Sequence, residues 1–222
     1  MNVRRASLID GARKATGTAV VIDVFRAFTT AAFCIYAGAR EIVLVGTVEE
    51  AFAHKRADPA VFVTGEVDGR PVEGFDAPNS PAAIEGLDLR GRRVVQRSSS
   101  GTQGVVAATG AGEIVLGSLV LASATARYVA ARGRDVTLVA MGDRGEVVCA
   151  EDEVCAVHLE ALLDGRVPDT AATVAALRLD REWPWWFPRR DAELAAQVDR
   201  FDFALPVTRE GGLLLARPQR AP

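Results

Sequence analysis

Cysteine is scarce in this chain. The three present, Cys34, Cys149 and Cys155, are odd in number and form no C-x-x-C. That excludes a disulfide-built fold and points to a reducing compartment, the cytoplasm. No uncharged apolar run reaches the roughly 18 residues of a membrane helix. The opening MNVRRASLIDGARKATG is interrupted by Asp10, Arg13 and Lys14 where a signal peptide needs an apolar centre. There is no large basic block and the formal net charge is −3, which argues against a nucleic-acid partner. The Walker pattern G-x-x-x-x-G-K-[ST] and the D-x-D-x-[TV] string of the aspartyl-phosphate enzymes are also missing.

What is present is a soluble-type composition, 49% hydrophobic and 25% charged over 222 residues, enough for one domain with a substantial core. Short β-branched runs alternate with helical stretches. TAVVIDVF, EIVLVG, AVFVTGEV, RRVVQR, EIVLGSL and DVTLVAMG read as strands. Between them, residues 26–40 read as a helix stopped by Gly38. TVEEAFAHKRA carries acids in its first turn and bases in its last, and Ser80-Pro81 reads as an N-cap with proline at the first helical position. Such alternation implies right-handed crossovers and a three-layer α/β/α fold with a mostly parallel sheet. The tail FDFALPVTREGGLLLARP reads as two strands around a Glu-Gly-Gly turn, an antiparallel hairpin expected at the sheet edge.

In such sheets ligands bind beyond the carboxyl ends of the strands. The polar residues collected there are Asp23, Arg26, Thr29 and Thr30; Glu66, Asp68, Asp76, Asn79 and Ser80; Arg97 to Thr102; Ser118; and Asp143, Glu151 and Asp152. The string Ser98-Ser99-Ser100-Gly101-Thr102 offers backbone N–H groups, hydroxyls and a helix N-terminus to an anion. It reads equally as a helix cap with spare serines. Asp23 follows three apolar residues and needs a partner, either Arg26 or a divalent cation. Glu66, Asp76, Glu151 and Asp152 supply further oxygens, although Glu151 to Glu153 also read as the acidic first turn of a helix. Cys155 has His158 three residues on, but its apolar neighbours suit a buried structural thiol. The aromatic stretch Trp183–Arg190 reads as loop packing, a lid or a homodimer contact.

Several stretches, IDVFRAFTTAAFCIYAGAREIVLV, GEVDGRPVEGFDAPNSPAAI, SSSGTQG, VLGSLVLASATARYV and AEDEVCAVHLEALL, resemble the 2-phosphosulfolactate phosphatase family in order and spacing over about residues 19 to 163. The resemblance implies an α/β fold and Mg²⁺-dependent hydrolysis of (2R)-2-phospho-3-sulfolactate, a biosynthetic step in organisms that make coenzyme M. It implies catalytic roles for Asp23, Arg26, Glu66 and Asp76, and Mg²⁺ ligation among Asp23, Glu66, Asp76, Glu151 and Asp152. Phosphate binding falls to Arg26, Thr29, Thr30, Asn79, Ser80, Ser98, Ser99, Ser100, Gly101 and Thr102. The partner expected is a small anionic phosphorylated substrate, with neither nucleic acid nor membrane. Two positions depart from the family pattern, Ser100 in place of an asparagine and Val157 in place of a glycine. They leave open a phosphatase of a different 2-phospho acid, or a protein that binds a phosphorylated metabolite without turnover.

Overall fold

The computed structural model describes residues 1–220. The elements in order are β1 (Val3–Ser7), α1 (Leu8–Arg13), β2 (Thr18–Ile22), α2 (Ala27–Tyr36), β3 (Glu41–Val45), α3 (Val48–Ala57), β4 (Phe62–Val67), β5 (Arg70–Pro71) and β6 (Ala77–Pro78). There follow α4 (Pro81–Ile84), β7 (Arg93–Arg97), α5 (Gly101–Ala107), β8 (Glu113–Gly117), a 3₁₀ turn at Leu119–Leu121, α6 (Ala122–Ala130) and β9 (Val136–Ala140). The chain continues with α7 (Ala150–Leu163), α8 (Thr170–Ala176), α9 (Arg189–Ala195), β10 (Leu205–Glu210) and β11 (Leu213–Ala216). No helix among the described residues is long and apolar enough to cross a membrane.

The strands join in the order β1-β9-β2-β8-β10-β11-β3-β7-β4-β5, with β6 on β4. β1, β9, β2 and β8 form one parallel block, and β3, β7 and β4 another. Strand alternation sends side chains to both faces. Ala19, Val21, Ile42, Leu44 and Val94 pack under α1, α2 and α5, in one cluster with Ala12, Phe28 and Val105. On the opposite face Val20 and Ile22 meet α6 and α7, and Val43, Val45 and Val95 meet α3 through Ala51. The three-layer arrangement expected from the sequence is therefore formed.

Local signals act where expected. Thr47 accepts from the Glu50 N–H at 3.1 Å while the Glu50 carboxylate accepts from the Thr47 N–H, a complete capping box on α3. Gly38 ends α2 with φ +100; its N–H reaches Ile35 O and that of Ala39 reaches Cys34 O, a Schellman closure. Ser80 caps α4 with Pro81 at the first position.

One strand carries no sequence signal and one expectation needs correction. β1 was not foreseen: its VRRAS sequence is polar because it lies at the sheet border, where charged side chains guard an open edge. The C-terminal hairpin does form, turning at Gly211-Gly212 with both φ positive. It lies inside the sheet, however, with β10 against β8 and β11 against β3, and joins the two parallel blocks. Its apolar run Leu213 to Ala216 is the mark of a strand covered on both faces.

Candidate active site

A cleft of about 510 Å³ opens where residues beyond β2, β4, β7 and β9 meet the N-terminus of α7 and the 181–187 loop. Of the residues singled out in the sequence, it is lined by Asp23, Arg26, Glu66, Asn79, Ser99, Ser100, Asp143, Glu151 and Asp152. Parallel strands from both blocks thus deliver their carboxyl ends to one place.

Asp23 leaves β2 buried, and each of its oxygens is held by a backbone donor: Oδ1 by Ala27 N–H at 2.9 Å and Oδ2 by Gly101 N–H at 2.8 Å. Burial outweighs both bonds and pushes the carboxyl up to about 7, and the charges of Glu66 and Glu151 add to the rise. Asp152 mirrors it, accepting from Val24 N–H and Gly142 N–H at 2.8 Å each. Its burial, with the Asp23 charge next, raises it well above the carboxylate range. Glu151 is raised by burial, opposed in part by the charge of Arg181.

The Ser98–Thr102 loop does offer its amides to anions, but the anions it holds here are carboxylates of the protein. Ser99 N–H donates to Glu66 Oε1 and Gly101 N–H to Asp23. Ser98 and Thr102 bond each other through hydroxyls and amides, away from the cleft. The Ser99 hydroxyl donates to Glu66 Oε2 at 3.1 Å and accepts from Arg97 and from Asp68 N–H. Ser100 Oγ donates to Gly142 O at 2.6 Å and so ties the loop to the end of β9. Gly101 does not serve a positive φ. A Cβ there would meet Asp23 Oδ2 at 2.7 Å and Phe28 Cζ at 3.0 Å, so glycine is needed for close approach.

Arg26 does not pair with Asp23. It is buried, with Nη1 bonded to Asp191 Oδ2 at 3.0 Å and to Trp186 O at 3.3 Å, and Nη2 to Gly69 O at 3.0 Å. Its guanidinium lies over Phe187 at 4.7 Å. Asp191 also accepts from Ser80 Oγ at 2.6 Å and Ala82 N–H at 3.0 Å, so Ser80 and Arg26 share one buried carboxylate. Nothing in sequence spacing signals this pairing across 165 positions.

The remaining candidates lie outside the cleft. Thr29 Oγ1 donates to Val24 O and meets Ser118 Oγ at 2.7 Å, fastening α2 to the neighbouring strand end. Thr30 is fully buried. Asp76 is exposed, paired with Lys55 at 2.7 Å and accepting from Val63 N–H. Val157 is exposed on α7, away from the cleft. Cys155 is buried with its thiol raised, and His158 bonds Thr173 at 3.0 Å; neither reaches the site. Arg144, Cys149, Arg181, Trp183 and Trp186 also line the cleft, on irregular loops that carry no periodic signal.

Among the described residues no three His, Cys, Asp or Glu side chains form a ready-made metal cage. Asp23, Glu66, Glu151 and Asp152 still gather at one cleft as hard oxygen donors, and the nearby Cys149 thiol is pushed up to about 12, chiefly by burial. That set suits Mg²⁺, which takes one or two carboxylates and completes its shell with water and phosphate oxygens.

Residues 4–184 match the sequence family described as 2-phosphosulpholactate phosphatase. The chain is 38% identical over 165 residues to a probable 2-phosphosulfolactate phosphatase of Deinococcus radiodurans, covering 72% of this chain and 69% of that one. It is 33% identical over 184 residues to a protein of the same description from Thermoplasma volcanium, covering 82% and 85%. A Bacillus subtilis relative, likewise described, is 33% identical over 156 residues, covering 69% and 67%. With its α/β sheet and acid-lined cleft, the molecule is a phosphoric monoester hydrolase. The chain belongs to the 2-phosphosulpholactate phosphatase family.

Proposed function

We propose that the chain hydrolyses 2-phosphosulfolactate to sulfolactate and phosphate, with Mg²⁺ as cofactor, in the cytoplasm. The observation that carries this reading is the charge of the cleft. Asp23, Glu66, Asp143, Glu151, Asp152 and Glu182 line it against Arg26, Arg144 and Arg181. A phosphate ester with two further anionic groups meets net repulsion there until a cation joins it. Asp23 and Asp152, both held above the usual carboxylate range by burial, are the pair that a divalent ion would bring to full charge. Asp23 and Asp152 would hold Mg²⁺, which would supply charge to offset the phosphoryl oxygens. Three free thiols, none in a disulfide, support the reducing compartment.

The chain's own residues supply the rest. The backbone N–H groups of Ala27, Gly101, Val24 and Gly142 fix the two aspartates in place before substrate arrives. Arg26 spends three N–H bonds on Asp191, Trp186 and Gly69, and its remaining donors serve an anion in the cleft. Tethering at both oxygens suits an aspartate that holds or orients, rather than one that must advance on phosphorus; this supports water as nucleophile. With Val157 remote from the cleft, the non-catalytic alternative loses half of its sequence motive.

The test is phosphate release from 2-phosphosulfolactate with Mg²⁺ and with chelator. Release only with Mg²⁺ is expected; binding of intact substrate without release at any Mg²⁺ concentration overturns the reading.

A further inference from the structure

The Trp183–Arg190 stretch, conspicuous in the sequence and unassigned by the reaction, forms one wall of the cleft. Its rings are stacked in a defined order. The Arg181 guanidinium lies over the Trp183 ring at 4.2 Å. Trp183 stacks on Phe187 with centroids 4.4 Å apart and planes 16° from parallel. Phe187 in turn lies under Arg26 at 4.7 Å. Two aromatic layers therefore stand between two guanidinium groups that line the same cleft.

The two arginines are not equivalent. Arg26 is buried and bonded to Asp191 and two carbonyls. The Arg181 guanidinium makes no hydrogen bond among the described residues; only the backbone N–H of Arg181 is bonded, to Arg178 O at 3.2 Å. Its nearest charge partner, Glu151, is 4.0 Å away, too far for a hydrogen bond. Arg181 is thus a flat cation oriented by an indole, with its donors unspent. Arg144, the third cation, has no ring beneath it and leans on its own neighbour Asp143 at 3.6 Å.

We infer that Arg181, held over Trp183, is the receptor for one of the two anionic groups of the substrate that are not transferred, the sulfonate or the carboxylate, and so sets specificity. The inference rests on the phosphatase reading. A phosphoryl group near Asp23 and Arg26 leaves the other anionic end of a small substrate to be met by a second cation, and the ring stack holds that cation apart from the first. Guanidinium binds a sulfonate or carboxylate through two parallel N–H bonds. The family match ends at residue 184, so Phe187, which completes the stack, lies beyond it.

The test compares the parent, Arg181→Gln and Arg181→Lys on two substrates, 2-phosphosulfolactate and p-nitrophenyl phosphate, which lacks a second anionic group. The ratio of kcat/KM between them should fall about tenfold or more in Arg181→Gln, through KM rather than kcat, with partial recovery in Arg181→Lys. An unchanged ratio, with either no loss or equal loss on both substrates, overturns the inference. Calorimetric binding of sulfolactate is measured in parallel. If the parent turns over neither substrate, the phosphatase reading fails, and binding decides alone. At least tenfold weaker binding by Arg181→Gln then supports the receptor, whereas equal binding, or none by the parent, overturns it.

Discussion

The backbone N–H of Gly101 donates to Oδ2 of Asp23 at 2.8 Å, so the loop after β7 closes on the carboxylate after β2. The two residues are 78 positions apart and come from different parallel blocks of the sheet. The site is therefore a seam between the blocks, and several expectations follow from what fastens it.

Gly101→Ala should damage both stability and activity. The added Cβ would press on Asp23 and Phe28, and neither can yield easily because both are buried. Overpacking of this kind costs roughly 1–3 kcal/mol, and displacing Asp23 should lower kcat at least about tenfold. Thermal unfolding and steady-state kinetics check both. Normal values for the alanine variant would mean that the seam opens freely.

Arg26→Lys tests the buried pair with Asp191. An anion clamp facing solvent would lose activity with little loss of stability. Arg26, however, also ties Asp191 to the Trp186 and Gly69 carbonyls. Lysine cannot reach all three, so the variant should unfold more easily by roughly 1–3 kcal/mol as well as lose activity. A double-mutant cycle with Asp191→Asn measures the coupling.

Metal requirement should separate Asp23 from Asp76. Asp23→Asn should raise the Mg²⁺ concentration for half-maximal activity at least about tenfold, since a charged oxygen is lost from the donor set. Asp76→Asn should leave that concentration unchanged, because Asp76 pairs with Lys55 outside the cleft. Magnesium titrations of the two variants give the answer, and a shift in Asp76→Asn would return that residue to the site.

Without metal, stability should fall as pH rises. The Asp23 carboxyl sits at about 7 in the folded protein against 3.8 for an ordinary aspartate, because burial disfavours its charge. Its stabilising contribution is complete below the unfolded value and is lost as pH rises through the folded one. Melting temperature in chelator should therefore decline between about pH 4 and 7. Asp23→Asn should flatten that decline, and saturating Mg²⁺ should raise the melting temperature at neutral pH. A curve in chelator that is flat or rises with pH would contradict the assignment.

Much of this architecture is legible in the sequence. The parallel strands announce themselves by β-branched runs, and the caps at Thr47, Gly38 and Ser80 are local chemistry. Asp23, Glu66, Glu151 and Asp152 could be placed because strand ends and a helix start locate them. The remainder depends on distance. Arg26 finds Asp191, Ser98 turns inward to Thr102, and Asp76 turns outward to Lys55, for reasons that only tertiary packing sets. Arg181 and Trp183 sit on an irregular loop with no period to read. The hairpin is recognisable as a hairpin, but its insertion between β8 and β3 depends on strands 89 to 174 positions earlier.

That insertion has a bearing on how the molecule is made. β10 and β11 are the last strands in chain order, yet every hydrogen-bonded route across the sheet from β8 to β3 runs through them. During synthesis both parallel blocks can emerge before the residues that splice them exist. If the blocks fold as they emerge, the cleft, whose walls come from both, takes its final shape only once the hairpin has paired with β8 and β3. Without the hairpin, the apolar edges of β8 and β3 would be left unpaired and open to the wrong neighbour.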